Sequence, residues 1–329
     1  MTDHLKPAQP FAVLRNIETG AGALKGAVAA LGNFDGVHRG HRAVIGAALA
    51  RARVLGRPAA ALTFEPHPRA FFKPDEPLFR LTDERNKLRL LAACGLDGAV
   101  VVTFDAALAS LTAEEFVGRY LVGWLGVAGI VVGFNFHFGK DRTGSPGFLT
   151  AQGRKHGFAV DIVPIFADQG RPVSSGPIRE ALAAGHVDEA AELLGYPWFV
   201  TGEVVHGDKR GRELGYPTAN LRLDPDCGLR HGIYAMRVGI GGKRYDGVAS
   251  FGRRPMFDTG AVLLEIFLFD FSSDLYGQTI DAAFIGWIRH ELVFDTIEAL
   301  VRRMDEDSRI ARTMLSRAPD VFPPIGSLS

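Results

Sequence analysis

Up to about residue 195, short apolar runs alternate with longer stretches of helical period. Beyond it, apolar runs follow one another across glycine-rich turns, with no helix until one amphipathic segment near the end. This change of pattern constrains the fold more than any single motif. In the first part Ala27–Phe34, Ala59–Phe64, Ala99–Phe104, Ile130–Gly133 and Phe158–Val163 read as strands. Arg39–Gly56 carries Ile45, Ala48, Leu49, Ala52 and Leu55 on one helical face. Alternation of this kind predicts an α/β domain: a mostly parallel sheet with helices on both faces. In the second part Trp198–Val205, Gly232–Ile240, Lys243–Phe251, Leu263–Phe271 and Thr279–Ile288 read as strands separated by turns. That predicts a small antiparallel barrel or sandwich, closed by a C-terminal helix carrying Ile297, Leu300, Val301, Met304, Ala311 and Leu315. The expected domains are 1–186 and 187–329, two being the usual number for 329 residues.

Two local signals refine the first domain. Thr82 is expected to cap a helix carrying Leu88, Leu91 and Ala92 that ends near Gly95. Thr112-Ala113-Glu114-Glu115 has the form of a capping box and opens a helix with Phe116, Tyr120 and Trp124 on one face, ending at Gly126. The uncharged run Tyr120–Gly139 is long enough to span a bilayer, but its glycines, Asn135 and His137, and that helix start, argue for a helix end followed by a buried strand.

Charge excludes several function classes. Basic and acidic residues balance, 37 against 37, and the two halves divided at Gly195 are each near neutral, with 21 against 19 and 16 against 18. No nucleic-acid or membrane partner recognised through bulk charge is expected. Two cysteines, Cys94 and Cys227, cannot build a disulfide framework, and MTDHLKPAQPF has no apolar signal core. A cytoplasmic protein with free thiols is expected. The oligomeric state stays open between a monomer and a transient homo-oligomer.

The first candidate site is GNFDGVHRGH, Gly32–His41, at the end of the first predicted strand. Ligands in parallel sheets sit beyond the carboxyl ends of the strands. His38 and His41 are three residues apart where a glycine-rich turn feeds a helix. The free amides and positive dipole end of that helix suit an anion, and two imidazoles add donors to a phosphate. A metal pair, with His67 as the obvious third ligand, or two surface histidines also fit. Phe64-Glu65-Pro66-His67-Pro68 follows the second strand, GFNFHFG with Asn135 follows the fourth, and Ser174-Ser175-Gly176-Pro177-Ile178-Arg179 opens another helix. Hydroxyls, free amides and Arg179 there would make a second phosphate grip.

The second candidate site is GDKRGRELGYPTAN, Gly207–Asn220, with glycines every four residues at Gly207, Gly211 and Gly215. Such a loop can wrap a polyphosphate, or it is a charged surface hairpin. If extended there, Thr218 and Asn220 share a face and offer hard oxygen ligands. The apolar run Leu263–Phe271 holds two acids, Glu265 in its middle and Asp270 at its expected exposed end; Glu265 faces solvent, a partner or a ligand, and at a pocket it would serve as a general base.

GNFDGVHRGH, FEPHP, GFNFHFG and SSGPIR together resemble the adenylyltransferase module of the prokaryotic bifunctional riboflavin kinase/FAD synthetase family. GDKRGRELGYPTAN, GIYAMRV, GVASFGRRPMF and FDFSSDLYG are similar to its riboflavin kinase module, in the same order. The resemblance implies a Rossmann-like nucleotidyltransferase domain followed by a riboflavin kinase β-barrel. It implies ATP at Gly32, Phe34, Asp35, Gly40, Ser174 and Ser175, with His38, His41, Asn135 and Arg179 acting on it. It places Phe64, Pro66, His67, Pro68 and Phe72 near the flavin. In the second module it implies ATP at Gly207, Lys209, Gly211 and Gly215, Mg²⁺ at Thr218 and Asn220, and Glu265 as base. Riboflavin, FMN and ATP are the implied small-molecule partners. Gly176 and Met256 stand where the family commonly has threonine.

Overall fold

The computed structural model describes residues 10–17, 20–168, 170–206, 216–253 and 262–328. Gly207, Lys209, Gly211, Gly215 and Met256 lie outside the described residues. The chain forms two compact units: residues 1–78, 82–174 and 324–329, and residues 79–81 and 175–323.

The first unit holds a six-stranded parallel sheet. Its strands are β1 (Ala12–Arg15), β2 (Val28–Leu31), β3 (Ala59–Glu65), β4 (Gly98–Thr103), β5 (Gly129–Gly133) and β6 (Ala159–Val163), in the order β1-β4-β3-β2-β5-β6. Every residue of β2 and β3 is buried, and all but Thr63 and Glu65 are apolar, which is why they read as apolar runs. β1 was not expected. It is a four-residue edge strand, half-buried and ending on exposed Arg15, and its apolar run is too short to stand out as a strand. The chain runs from β2 to β3 and β4 on one side, then returns to place β5 on the other side of β2. The carboxyl ends of β2 and β5 therefore flank a topological switch point, where such sheets open a crevice. The hairpin β7 (Ala167–Asp168) and β8 (Arg171–Pro172) follows β6.

Two helical expectations are corrected. Thr82 does not cap the helix Glu84–Ala93; Asp83 does, its carboxylate accepting from the Asn86 N–H at 2.6 Å. Thr82 sits one residue too early and bonds to the β2 loop instead. The Thr112 capping box forms as expected, but the helix Ala113–Phe116 continues as a π-helix over Val117–Leu125 before Gly126 ends it at φ 57°. Phe116 still stacks on Tyr120, ring centroids 5.3 Å apart, over the core. Among the described residues no helix is long and apolar enough to cross a membrane.

The second unit is a nearly closed antiparallel barrel. Its strands are β9 (Phe199–Glu203), β10 (Thr218–Leu223), β11 (Gly232–Ile240), β12 (Lys243–Arg253), β13 (Val262–Leu268) and β14 (Thr279–Arg289), in the order β10-β13-β12-β11-β14-β9. A bridge between Val205 and Asn220 joins the two ends, the Val205 N–H donating to the Asn220 carbonyl at 2.9 Å. β13 alternates cleanly: Val262, Leu264, Ile266 and Leu268 fill the barrel, while Leu263, Glu265 and Phe267 face outward. It ends at Leu268 rather than Phe271, because Asp270 takes φ 56° and pairs with Arg312 at 3.0 Å. The helix Ile297–Arg317, capped by Thr296, lays Ala311 and Leu315 against Ala235 and Val248 on that outer face.

Candidate active sites

In the first unit β2 ends in a glycine turn that cannot pack as ordinary strand. Phe34 and Val37 take φ 51° and 36°, and the chain enters the helix Arg39–Leu55 through His38. His38 is the N-cap: its Nδ1 accepts from the His41 N–H at 3.2 Å. The His38 and His41 rings stack with centroids 3.6 Å apart, and the edge of Phe34 meets His41 at 5.3 Å. A Cβ on Gly40 would come within 3.0 Å of the Val173 carbonyl and 3.1 Å of the His38 ring, and one on Gly32 within 3.2 Å of the Phe34 ring. Both glycines are there because the loop folds onto itself.

The stack has electrostatic consequences. His41 is partly exposed, but its Nδ1 is enclosed and has no hydrogen-bond partner among the described residues. Burial, then the neighbouring His38, then the Lys87 ammonium hold His41 well below the ordinary histidine value. It is therefore neutral near pH 7. His38, accepting at Nδ1, carries its proton on Nε2 when neutral and presents that N–H as a donor. Asp35 is buried and holds Thr82, accepting from its N–H at 3.0 Å, while the Thr82 hydroxyl accepts from the Gly36 N–H at 3.1 Å. Asp35 thus braces the loop from beneath.

The loops after β3 and β5 open on the same sheet edge. After β3, the Glu65–Pro66 bond is cis, and His67 caps the short helix Pro68–Phe72, accepting at Nδ1 from the Arg69 N–H at 3.1 Å. Phe64 lies in the core against Phe104, whereas Phe72 is 64% exposed, with Phe71 and Phe104 packed edge-on to it. After β5, Asn135 is exposed beyond Gly133, and its carbonyl contacts His137 Nδ1 at 3.0 Å. The sheet order brings His38 and His41, the Pro66–Pro68 loop and Asn135 to adjacent strand ends. The serine-rich motif is divided: Ser174 belongs to the first unit, Ser175 and Arg179 to the second. Arg179 Nε donates to the Phe79 carbonyl at 2.6 Å.

In the second unit Asn220 on β10 lies directly opposite Glu265 on β13, and Glu265 lies opposite Ser250 on β12. Cross-strand partners present side chains on one face. Thr218, two residues before Asn220, shares that face and lies opposite Phe267. Asn220 is buried, and its amide donates to the Thr218 carbonyl at 3.2 Å, which turns its Oδ1 away from that carbonyl. Thr218 Oγ1 and Asn220 Oδ1 are hard oxygen donors of the kind Mg²⁺ takes, and Glu265 lies across the ladder from Asn220. Just before them, the Tyr216 ring packs on Phe267 at 4.5 Å and its hydroxyl donates to Asp305 of the C-terminal helix.

Sequence reasoning missed Thr82, Ser250 and Lys87. Thr82 resembled a cap, and Ser250 is visible only once the register is known. Lys87 carried a signal: it stands one turn before Leu91, on the buried face of its helix.

Comparison with known proteins agrees with this architecture. The FAD synthetase family matches residues 21–177 and the riboflavin kinase family residues 194–315. A bifunctional riboflavin kinase/FMN adenylyltransferase of Pseudomonas fluorescens is 41% identical over 88% of this chain and 93% of its own length. The Escherichia coli K12 protein of the same description is 39% identical over 88% and 92%, and that of Haemophilus influenzae 35% over 92% and 99%. A solved Streptococcus pneumoniae structure described as a macrolide-efflux protein superposes with a TM-score of 0.82 at 33% identity, covering 91% of this chain and 98% of that one. Two halves matched in the same order, and relatives aligned along nearly their whole length, place the chain in the bifunctional riboflavin kinase/FMN adenylyltransferase family.

Proposed function

We infer that this chain phosphorylates riboflavin to FMN with ATP and adenylylates FMN to FAD with a second ATP, releasing pyrophosphate. Adenylyl transfer belongs to residues 1–186 and phosphoryl transfer to residues 187–329. The observation that carries the first assignment is the stacked His38–His41 pair at a helix start beside the sheet's switch point.

In FAD formation an FMN phosphate oxygen attacks the α-phosphorus of ATP, a P–O bond forms, and the bond to pyrophosphate breaks. The nucleophile is already ionised, so no base is required. His38 donates from Nε2 to the phosphate charge. His41, neutral at rest, backs His38 through the ring stack. The helix amides add to this electrostatic stabilisation. Gly32, Phe34, Asp35, Gly40 and Ser174 shape the ATP side. Asn135 orients the reacting phosphates. Pro66, His67, Pro68 and exposed Phe72 receive the flavin, with Phe64 supporting them from the core.

In FMN formation Glu265 takes the proton of the riboflavin 5′-hydroxyl as its oxygen attacks the γ-phosphorus and ADP leaves. Thr218 and Asn220 would hold Mg²⁺, which when bound neutralises phosphate charge. Asn220 is oriented for this by its bond to the Thr218 carbonyl and by facing Glu265 across the ladder. Positioning and charge stabilisation supply most of the catalysis of such transfers. We place the protein in the cytoplasm, where ATP and reduced thiols are at hand; Cys94 and Cys227 are free, and burial pushes the Cys227 thiol up to about 11.

The test is incubation with riboflavin, Mg²⁺ and ATP, with products separated by chromatography. FMN, FAD and pyrophosphate are expected. Binding of flavin and ATP without turnover would overturn the reading in favour of a flavin-sensing regulator.

A further inference from the structure

Behind the loop ends of the first unit lies a buried ion pair that neither reaction step uses. Lys87 is 1% exposed, and its ammonium sits 2.7 Å from a Glu65 carboxylate oxygen that is itself nearly buried. Lys87 also donates to the Thr63 hydroxyl at 3.4 Å, and that hydroxyl donates to the Asn33 carbonyl at 3.1 Å. Thr63 and Glu65 are two residues apart on β3, so they share a face, and the opposite face carries Leu62 and Phe64 into the core.

The location is expensive for charge. Lys87 is in the first turns of its helix, where the dipole disfavours a cation, and burial adds a large desolvation cost for each ion. Apolar residues of the same shape would fill the space at least as well, so the pair is poor support for stability alone. What it does geometrically is join two loops. Asn33 belongs to the phosphate loop after β2, and Glu65 is the last residue before the cis-Pro66 loop.

We propose that Lys87 is a positioning residue for adenylyl transfer, holding the ATP loop through Thr63 and Asn33 and the flavin loop through Glu65, so that one buried ammonium sets the spacing of the two substrates. This rests on the assignment of FAD formation to the first unit. In-line attack needs the two phosphates placed to within fractions of an ångström, and a misplacement of about 1 Å costs about 10²-fold in rate.

The test uses the full chain. Lys87→Met/Glu65→Gln removes both charges and keeps both shapes. It is expected to melt within a few degrees of the parent, yet to form FAD from supplied FMN with kcat about 10²-fold lower and KM raised for both ATP and FMN. Riboflavin phosphorylation by the same preparation should not change. Thr63→Val breaks only the link to Asn33, so KM for ATP should rise while KM for FMN holds. Parental kcat and KM in the double variant, at whatever melting temperature, would show the pair to be structural and overturn the proposal. If the double variant does not fold, parental KM for ATP in Thr63→Val overturns it. Loss of FAD formation from the parent chain itself would instead count against the functional assignment.

Discussion

The imidazoles of His38 and His41 stack with centroids 3.6 Å apart, and the ring of one accepts the backbone N–H of the other. This contact orders the first turn of the helix and fixes the donor that His38 presents. Replacing His38 or His41 with Ala should lower FAD formation while FMN formation persists, since both residues sit in the first unit. The paired rates on one preparation check it. Equal loss of both activities in a folded variant would contradict separate sites.

Acid stability should also report on His41. Its folded value lies well below the ordinary 6.5, so the unfolded chain binds the proton more tightly. The stability due to the neutral imidazole is fully present above pH 6.5 and is lost as pH falls from there toward the folded value. In His41→Gln, urea midpoints of the first unit should decline less than in the parent over that acid range. Identical declines would mean His41 is not held neutral by the fold.

Gly40→Ala tests the closeness of the loop. The new methyl meets the Val173 carbonyl at 3.0 Å and the His38 ring at 3.1 Å, and the carbonyl belongs to backbone that cannot swing aside. A loss of about 1–3 kcal/mol is expected, with reduced FAD formation because His38 is displaced. Denaturant unfolding and FMN-to-FAD rates measure the two effects, and a variant neutral in both would show the loop to be slack.

Glu265→Gln keeps the side chain's size opposite Asn220 and removes the base. Riboflavin-to-FMN turnover should fall about 10²–10⁴-fold. Binding of Mg²⁺-ATP should change little, and FMN-to-FAD conversion should be untouched. Near-normal FMN production would make Glu265 an ordinary outward-facing strand carboxylate.

The order of elements, the change from a parallel sheet to an antiparallel barrel, and the helix start at His38 were all legible from residue patterns. Buried parallel strands and half-buried antiparallel strands differ in apolar period, and caps are local chemistry. The edge strand Ala12–Arg15 and the π-turns after Phe116 were not legible, because an edge strand buries too little and an i→i+5 helix shares the composition of an α-helix. Thr82 could be seen as a cap but not as the partner of Asp35, 47 residues away. Likewise Thr218, Asn220 and Glu265 each stood out by type, but only the ladder register sets Asn220 opposite Glu265 and Ser250 beside them. Side-chain type and short-range spacing belong to the sequence; which distant residues meet is decided by strand order and register, where a slip of one residue would turn Glu265 into the barrel core.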